Sequence, residues 1–310
     1  MRKILLAIAY FEGCQAALEL GGRLARGLGA AITVLHVASL PRGTLLGKGV
    51  ASGKLAEWGL ELPSFKLLRQ AQELLEELGV VQIDLATGKP KVKHTLKELA
   101  QGVYEVHLLG RDSQDIRFRL REGEPVAEIL REAEDPEYDL IITGTRGHRG
   151  FKRFFVGSVA QEVAQHAPCS VLVAKNPKPN QSILVGVSGR ETALEAVRQA
   201  GQLARALGRP LKLLTIVEDE VERSKAERHL DEAQAQLRSQ GLQAERTVRV
   251  GDPAHVLIEE AGEDHLVVLG RAQRSRVREL FLGDISLTVL EQSLGPVLLT
   301  SHPRFTPSSL

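Results

Sequence analysis

The chain has 310 residues, more than a single hydrophobic core usually serves, so its length predicts two domains. Apolar residues make up 43% and charged residues 25%, a composition that argues against disorder. Lys and Arg number 40 against 39 Asp and Glu, so the net charge of +1 gives no broad field for a polyanion; with aromatics at only 4%, nucleic acid is not an expected partner.

In chain order, Met1-Arg2-Lys3 leads into the apolar run Ile4 to Ala9, too short for a signal peptide before the charge at Glu12. No stretch approaches a membrane span, and the expectation is a cytoplasmic protein without a membrane partner. Ile4 to Ala9 predicts a strand, Cys14 to Leu28 an amphipathic helix and Ile32 to Val37 a second strand. Gly123-Glu124-Pro125 and Gly251-Asp252-Pro253 each predict a strand-to-helix turn, since proline suits the first helical turn. Asp139 to Thr143 and His265 to Leu269 supply the following strands. Continuous apolar runs without polar alternation suit parallel strands covered by helices on both faces, so the fold class is α/β with open parallel sheets. Cys14 and Cys169 have no close-spaced partner and read as buried, reduced thiols.

The chain repeats itself. Lys3 to Ala9 matches Ser182 to Ser188, and Leu24-Ala25-Arg26 matches Leu203-Ala204-Arg205, both at an offset of 179 residues. The Gly-x-Pro turns match at an offset of 128, and Gly157 matches Gly283 at 126. The first half therefore carries 51 additional residues between its second strand and its Gly-x-Pro turn, placed at about 39–114. That insertion shows a helical pattern at Phe65 to Leu78 and apolar runs near Val80 to Leu85 and Val103 to Leu109. The proline-bearing segment Asn176 to Asn180 is the expected linker, which gives domains of 1–176 and 181–302. Val171 to Val173 and Val297 to Leu299 are expected to pair or pack together, because apolar strand edges otherwise aggregate.

After the strand ending at Thr143 comes Gly144-Thr145-Arg146-Gly147, then nine residues, then Gly157-Ser158 opening a helix. Glycines let backbone approach phosphate oxygens, and the helix start presents N–H groups to an anion. Ser158 adds a hydroxyl, while Arg146, His148, Arg149, Lys152 and Arg153 can carry positive charge at the loop mouth. The competing reading is a tight strand-to-helix turn with no ligand.

The spacing Gly-x2-Gly-x9-Gly-Ser resembles that of the universal stress protein family, and the resemblance covers nearly all of the chain outside the insertion. It looks like the tandem form, in which two Rossmann-like, adenine nucleotide α-hydrolase-like domains pack as a pseudo-dimer. The resemblance implies ATP as ligand, with Mg as its counter-ion. It implies contacts from Gly144, Arg146, Gly147, His148, Gly157, Ser158 and Val159, with Thr143 lining the pocket and Val37 meeting adenine through its backbone. At the end of the first strand, where ATP-binding relatives usually have Asp, this chain has Ala9. A lost buried hydrogen bond typically costs about 0.5–1.5 kcal/mol, so binding is weakened rather than abolished. In the second half Gln273 stands for glycine and Asp284 for the hydroxyl, and Ser188 replaces the strand-end acid, so that site is expected to take no ATP.

Gly43 to Lys48 lacks the glycine a Walker A loop needs five positions before its Gly-Lys pair, and reads as a mobile part of the insertion. His36, His94, His107, His166 and His255 are scattered without metal-site spacing, so no metal site is expected. No catalytic residue is assigned. The expected function is a nucleotide-dependent regulator or sensor in stress response, at most a weak ATPase. The alternatives are a scaffold of the same fold without nucleotide, or a slow ATP-hydrolysing or phosphate-transferring enzyme. The expected partners are ATP and the chain's own second half, with a further homodimer left open.

Overall fold

The computed structural model describes residues 1–44, 62–110, 114–145, 156–271 and 284–301. The chain forms two compact units, Met1–Gly144 and Thr145–Leu310.

In the first unit, β1 (Lys3–Ile8), α1 (Phe11–Leu28) and β2 (Ala31–Ala38) follow one another as expected. β1 is buried along its whole length because both of its faces are covered. α1 buries Cys14, Ala17, Leu18, Gly21, Leu24 and Ala25, a helical spacing, and ends on Gly29, whose φ of 61° is one that glycine adopts without strain. α2 (Pro63–Glu77), the antiparallel hairpin of β3 (Val92–Ala100) and β4 (Val103–Leu109), β5 (Asp115–Glu122), α3 (Pro125–Ala133) and β6 (Leu140–Gly144) complete the unit. The strand order is β6-β1-β2-β5-β4-β3. β6, β1, β2 and β5 are mutually parallel, and the hairpin is joined antiparallel to β5.

The insertion differs from the single block read from the sequence. In the second unit a helix, α6 (Arg223–Ser239), lies between two paired parallel strands as α2 lies between β2 and β5, so α2 is a repeated element. The additional residues fall on both sides of it: the segment before α2, most of which lies outside the described residues, and the hairpin after it. Val80 to Leu85 forms no strand and makes only the single bridges Val81 to Gly110 and Ile83 to Pro90, whereas Val103 to Leu109 is β4.

The second unit contains α4 (Ser158–His166), β7 (Ser170–Ala174), β8 (Ser182–Gly186), α5 (Glu191–Leu207), β9 (Leu211–Val217), α6 (Arg223–Ser239), β10 (Ala244–Val250), α7 (Pro253–Ala261), β11 (His265–Gly270), α8 (Asp284–Gln292) and β12 (Val297–Thr300). Its strand order is β10-β9-β8-β11-β12-β7, parallel except for the last pair. There Val297, Leu298 and Leu299 lie opposite Val173, Leu172 and Val171, the pairing expected of these two apolar strands.

The boundary between compact units therefore precedes the boundary between repeats. α4 and β7 close the first repeat in sequence but pack within the second unit. Buried cations fasten them there. Lys175 donates from Nζ to the carbonyls of Leu290 (3.1 Å) and Glu291 (3.0 Å) near the end of α8, and burial pulls its amine down to about 8. Arg271, 1% exposed, donates to the carbonyls of Ala167 (2.9 Å) and Cys169.

Both Gly-x-Pro segments turn strand into helix. Gly123 and Gly251 have φ of 148° and 143°, where a side chain would be strained. The next residue caps the helix: Glu124 accepts from the N–H groups of Val126 and Ala127, and Asp252 from that of His255.

Candidate functional site

In an open parallel sheet the loops at the carboxyl ends of the strands are where ligands bind. In the first unit Ala7 lies opposite Leu35 of β2 and Thr143 of β6, so Ala9, Val37 and Gly144 all sit just beyond one level of the sheet. Ala9 is exposed, and its N–H points to the Cys14 sulfur at 3.5 Å. Val37 is half-buried beside His36, whose Nδ1 lies 3.0 Å from the Ile8 carbonyl; burial lowers the pKa of that imidazole and favours the neutral ring. The buried Thr143 donates its hydroxyl to the Gly144 carbonyl at 3.3 Å. Gly144 faces the first turn of α1: a Cβ there would lie 3.2 Å from the Gly13 carbonyl oxygen and 3.4 Å from the Cys14 sulfur.

Arg146, Gly147 and His148 lie outside the described residues. The end of the loop belongs to the second unit. Gly157 is the N-cap of α4, in extended conformation and without a side chain to bond the helix amides. Ser158 is exposed and Val159 half-buried in the first turn. α4 thus begins with backbone donors that no capping side chain occupies, the arrangement that attracts an anion.

The second repeat shows what these positions build. A cavity of about 530 Å³ opens at the ends of β8, β9 and β11, between the starts of α5, α7 and α8. Ser188, Ile216, Gly270, Asp284 and Ile285 are among its lining residues. At the repeat offsets these are the counterparts of Ala9, Val37, Gly144, Ser158 and Val159. Four separate stretches of the second repeat thus converge on one cavity, of a size suited to a small molecule. Its walls are largely apolar, from Leu214, Leu257 and Leu269, while Asp284 places a carboxylate at the start of α8 where the first repeat has a hydroxyl. Arg190 also lines it, a charge for which the repeat pattern gave no signal, because the matching first-half residue is Phe11.

Sequence order also hid one cluster outside these strand ends. His94 and His107, read as scattered, lie opposite each other on β3 and β4 with ring centroids 5.3 Å apart.

Comparison with known proteins gives a consistent result. The model of the Universal stress protein family matches residues 1–175 and again 179–301. A Staphylococcus aureus (strain USA300) protein of the universal stress type is 40% identical over 86 residues, 27% of this chain and 51% of that protein. The chain spans about half the length of the curated relatives it matches. A universal stress protein of Archaeoglobus fulgidus DSM 4304 superposes with a TM-score of 0.62 at 19% identity, over 96% of this chain and 98% of that one. A functionally unknown protein of Pseudomonas aeruginosa PAO1 gives the same TM-score of 0.62 at 16% identity, over 97% and 92%. At these identities the likeness to solved structures is one of fold.

Proposed function

This chain belongs to the universal stress protein family, and from that premise we propose that its first repeat binds an adenine nucleotide, ATP with Mg as counter-ion, and acts as a nucleotide-dependent regulator in stress response. The observation that carries the reading is the convergence of Ser188, Ile216, Gly270, Asp284 and Ile285 on one cavity, because their first-repeat counterparts are residues read independently as a phosphate and adenine cradle. The groups present fit a polyphosphate. Gly157 leaves the α4 amides without a side-chain cap, Ser158 adds a hydroxyl, and the helix dipole favours negative charge there. Ala9 offers no carboxylate to the base, so adenine is held by backbone at Val37 and by apolar contact, with weaker preference among bases. The nucleotide serves as a signal that changes conformation or assembly, and any hydrolysis is slow.

In the second repeat Asp284 opposes phosphate at the equivalent helix start, so one nucleotide binds per chain. Titration calorimetry of the full chain with MgATP tests both statements. The expected result is one ATP per chain, with Ser158→Asp, which copies the second repeat, weakening binding at least about tenfold, or about 1.4 kcal/mol. Absence of ATP binding by the wild-type chain overturns the proposal.

A further inference from the structure

The β3–β4 hairpin lies outside the repeated fold, and His107 is opposite Arg117 of β5, itself opposite Thr33 of β2 and so short of the level of Val37. His94 on β3 and His107 on β4 are cross-strand neighbours, and Glu105, two residues from His107, shares their face of the sheet. One nitrogen from each imidazole and one Glu105 oxygen all lie within 4.8 Å of one another. Glu105 is buried, and His94 and His107 keep 23% and 11% of their side-chain surface, so the cluster is sheltered yet open to a small ion.

We propose that His94, Glu105 and His107 form a transition-metal site, with Zn²⁺ as the fitting ion. The hydrogen bonds around the two rings carry the argument. His94 turns Nδ1 to the Thr95 carbonyl at 3.0 Å, an atom that can only accept. With the proton on Nδ1, the neutral ring has its lone pair on Nε2, which faces Glu105 Oε1 at 3.2 Å. Against that carboxylate oxygen the lone pair is relieved by a second ring proton or by a metal ion beside the two atoms, and a metal takes both of them as ligands. The separation also matches the edge of a tetrahedron with bonds of about 2.0 Å, roughly 3.3 Å.

His107 follows the same pattern. Its Nε2 meets Asp115 Oδ1 at 2.9 Å, and in the neutral ring that leaves the lone pair on Nδ1. Histidine ligands of metals typically give their other ring nitrogen to a carboxylate or a carbonyl, and here one ring has each. Glu105 is held by Arg119 through Oε2, and Oε1 is the oxygen presented to His94.

The surroundings select the kind of ion. Arg119 shares Glu105, while Lys93 (2.6 Å) and Arg117 (2.8 Å) share Asp115, so little uncompensated carboxylate charge remains. Mg²⁺ and Ca²⁺ rely on several oxygen ligands and find too few here, whereas two imidazoles with one carboxylate suit Zn²⁺ and its neighbours in the Irving–Williams order. Three protein ligands leave a fourth position for water or for a group from another molecule.

The test is uptake of Zn²⁺, and separately of Co²⁺, by the purified full chain without nucleotide. The expected result is one equivalent of Zn²⁺ by calorimetry and, with Co²⁺, the intense visible absorption of a tetrahedral site. His94→Asn and His107→Asn are each expected to weaken Zn²⁺ at least about tenfold, and Asp115→Asn about 10–100-fold. His255→Asn, on an exposed helix position, should change nothing. Matching thermal unfolding of the variants separates lost ligands from lost fold, and the Co²⁺ spectrum of the unaltered chain stands without any variant. The proposal is overturned by uptake that is the same in the wild type and the His94→Asn/His107→Asn double variant, by absence of saturable uptake, or by a purely octahedral Co²⁺ spectrum.

Discussion

At the scale of single residues, the two repeats separate what a glycine does for packing from what it does for a ligand. Gly144 and Gly270 occupy matching strand ends, and each faces the backbone at the start of the helix that follows its repeat's first strand, Gly13 in α1 and Thr192 in α5. In the second repeat the loop has exchanged a later glycine for Gln273 and the hydroxyl for Asp284, yet Gly270 persists. Its reason is steric: an added Cβ would fall on the Thr192 carbonyl oxygen, backbone against backbone, with nothing flexible to yield. Gly270→Ala is expected to destabilise the chain by about 1–3 kcal/mol in urea unfolding. Gly144→Ala, with its contact at 3.2 Å, should cost less. The sequence reads Gly144 as a phosphate approach or a tight turn and not as a contact with α1, because spacing reveals that a glycine recurs without revealing which neighbour excludes the side chain.

Elements were legible where the repeat or a turn signal marked them. The opening strand and helix of each half, both Gly-x-Pro turns and the pairing of the closing strands followed from apolar runs, proline positions and glycine ends. α2 was assigned to the insertion because its partner α6 (Arg223–Ser239) is so polar that no residue match survives, although both lie between strands paired in parallel. β3 left no strand signal: Val92 to Ala100 is charged and largely exposed, as an edge strand tolerates. The cluster of His94, Glu105 and His107 depends on the register of that strand, which sequence order does not display.

Ion pairs between elements give a prediction at this scale. Glu260 of α7 accepts from Lys212 of β9 at 2.8 Å and from Arg249 of β10 at 2.6 Å, and these hydrogen bonds pull its carboxyl below the ordinary value of 4.5. A lowered folded-state value means that the stabilisation is present above about pH 4.5 and is lost as pH falls through that lower value. Glu260→Gln should therefore cost about 1 kcal/mol at neutral pH. That difference from the wild type should shrink steadily as urea unfolding is repeated below the ordinary carboxylate pKa.

At the scale of the whole chain, the repeat and the compact unit are different objects. A chain cut at the end of its first repeat, residues 1–176, would retain β7 with Val171, Leu172 and Val173 fully buried in the intact protein and now without β12. Light scattering of that fragment should show dimers or larger species, where the full chain does not need them for this pairing; a strictly monomeric, folded fragment would contradict the assignment of β7 to the second unit.

Fusion also changes what dilution can do. Two strands tethered on one chain meet at a local concentration fixed by the linker, independent of how much protein a cell makes. Swapping one half for a relative's, an option open to separately encoded subunits, is closed to this molecule, so its two unequal repeats are inherited and degraded as a fixed one-to-one set.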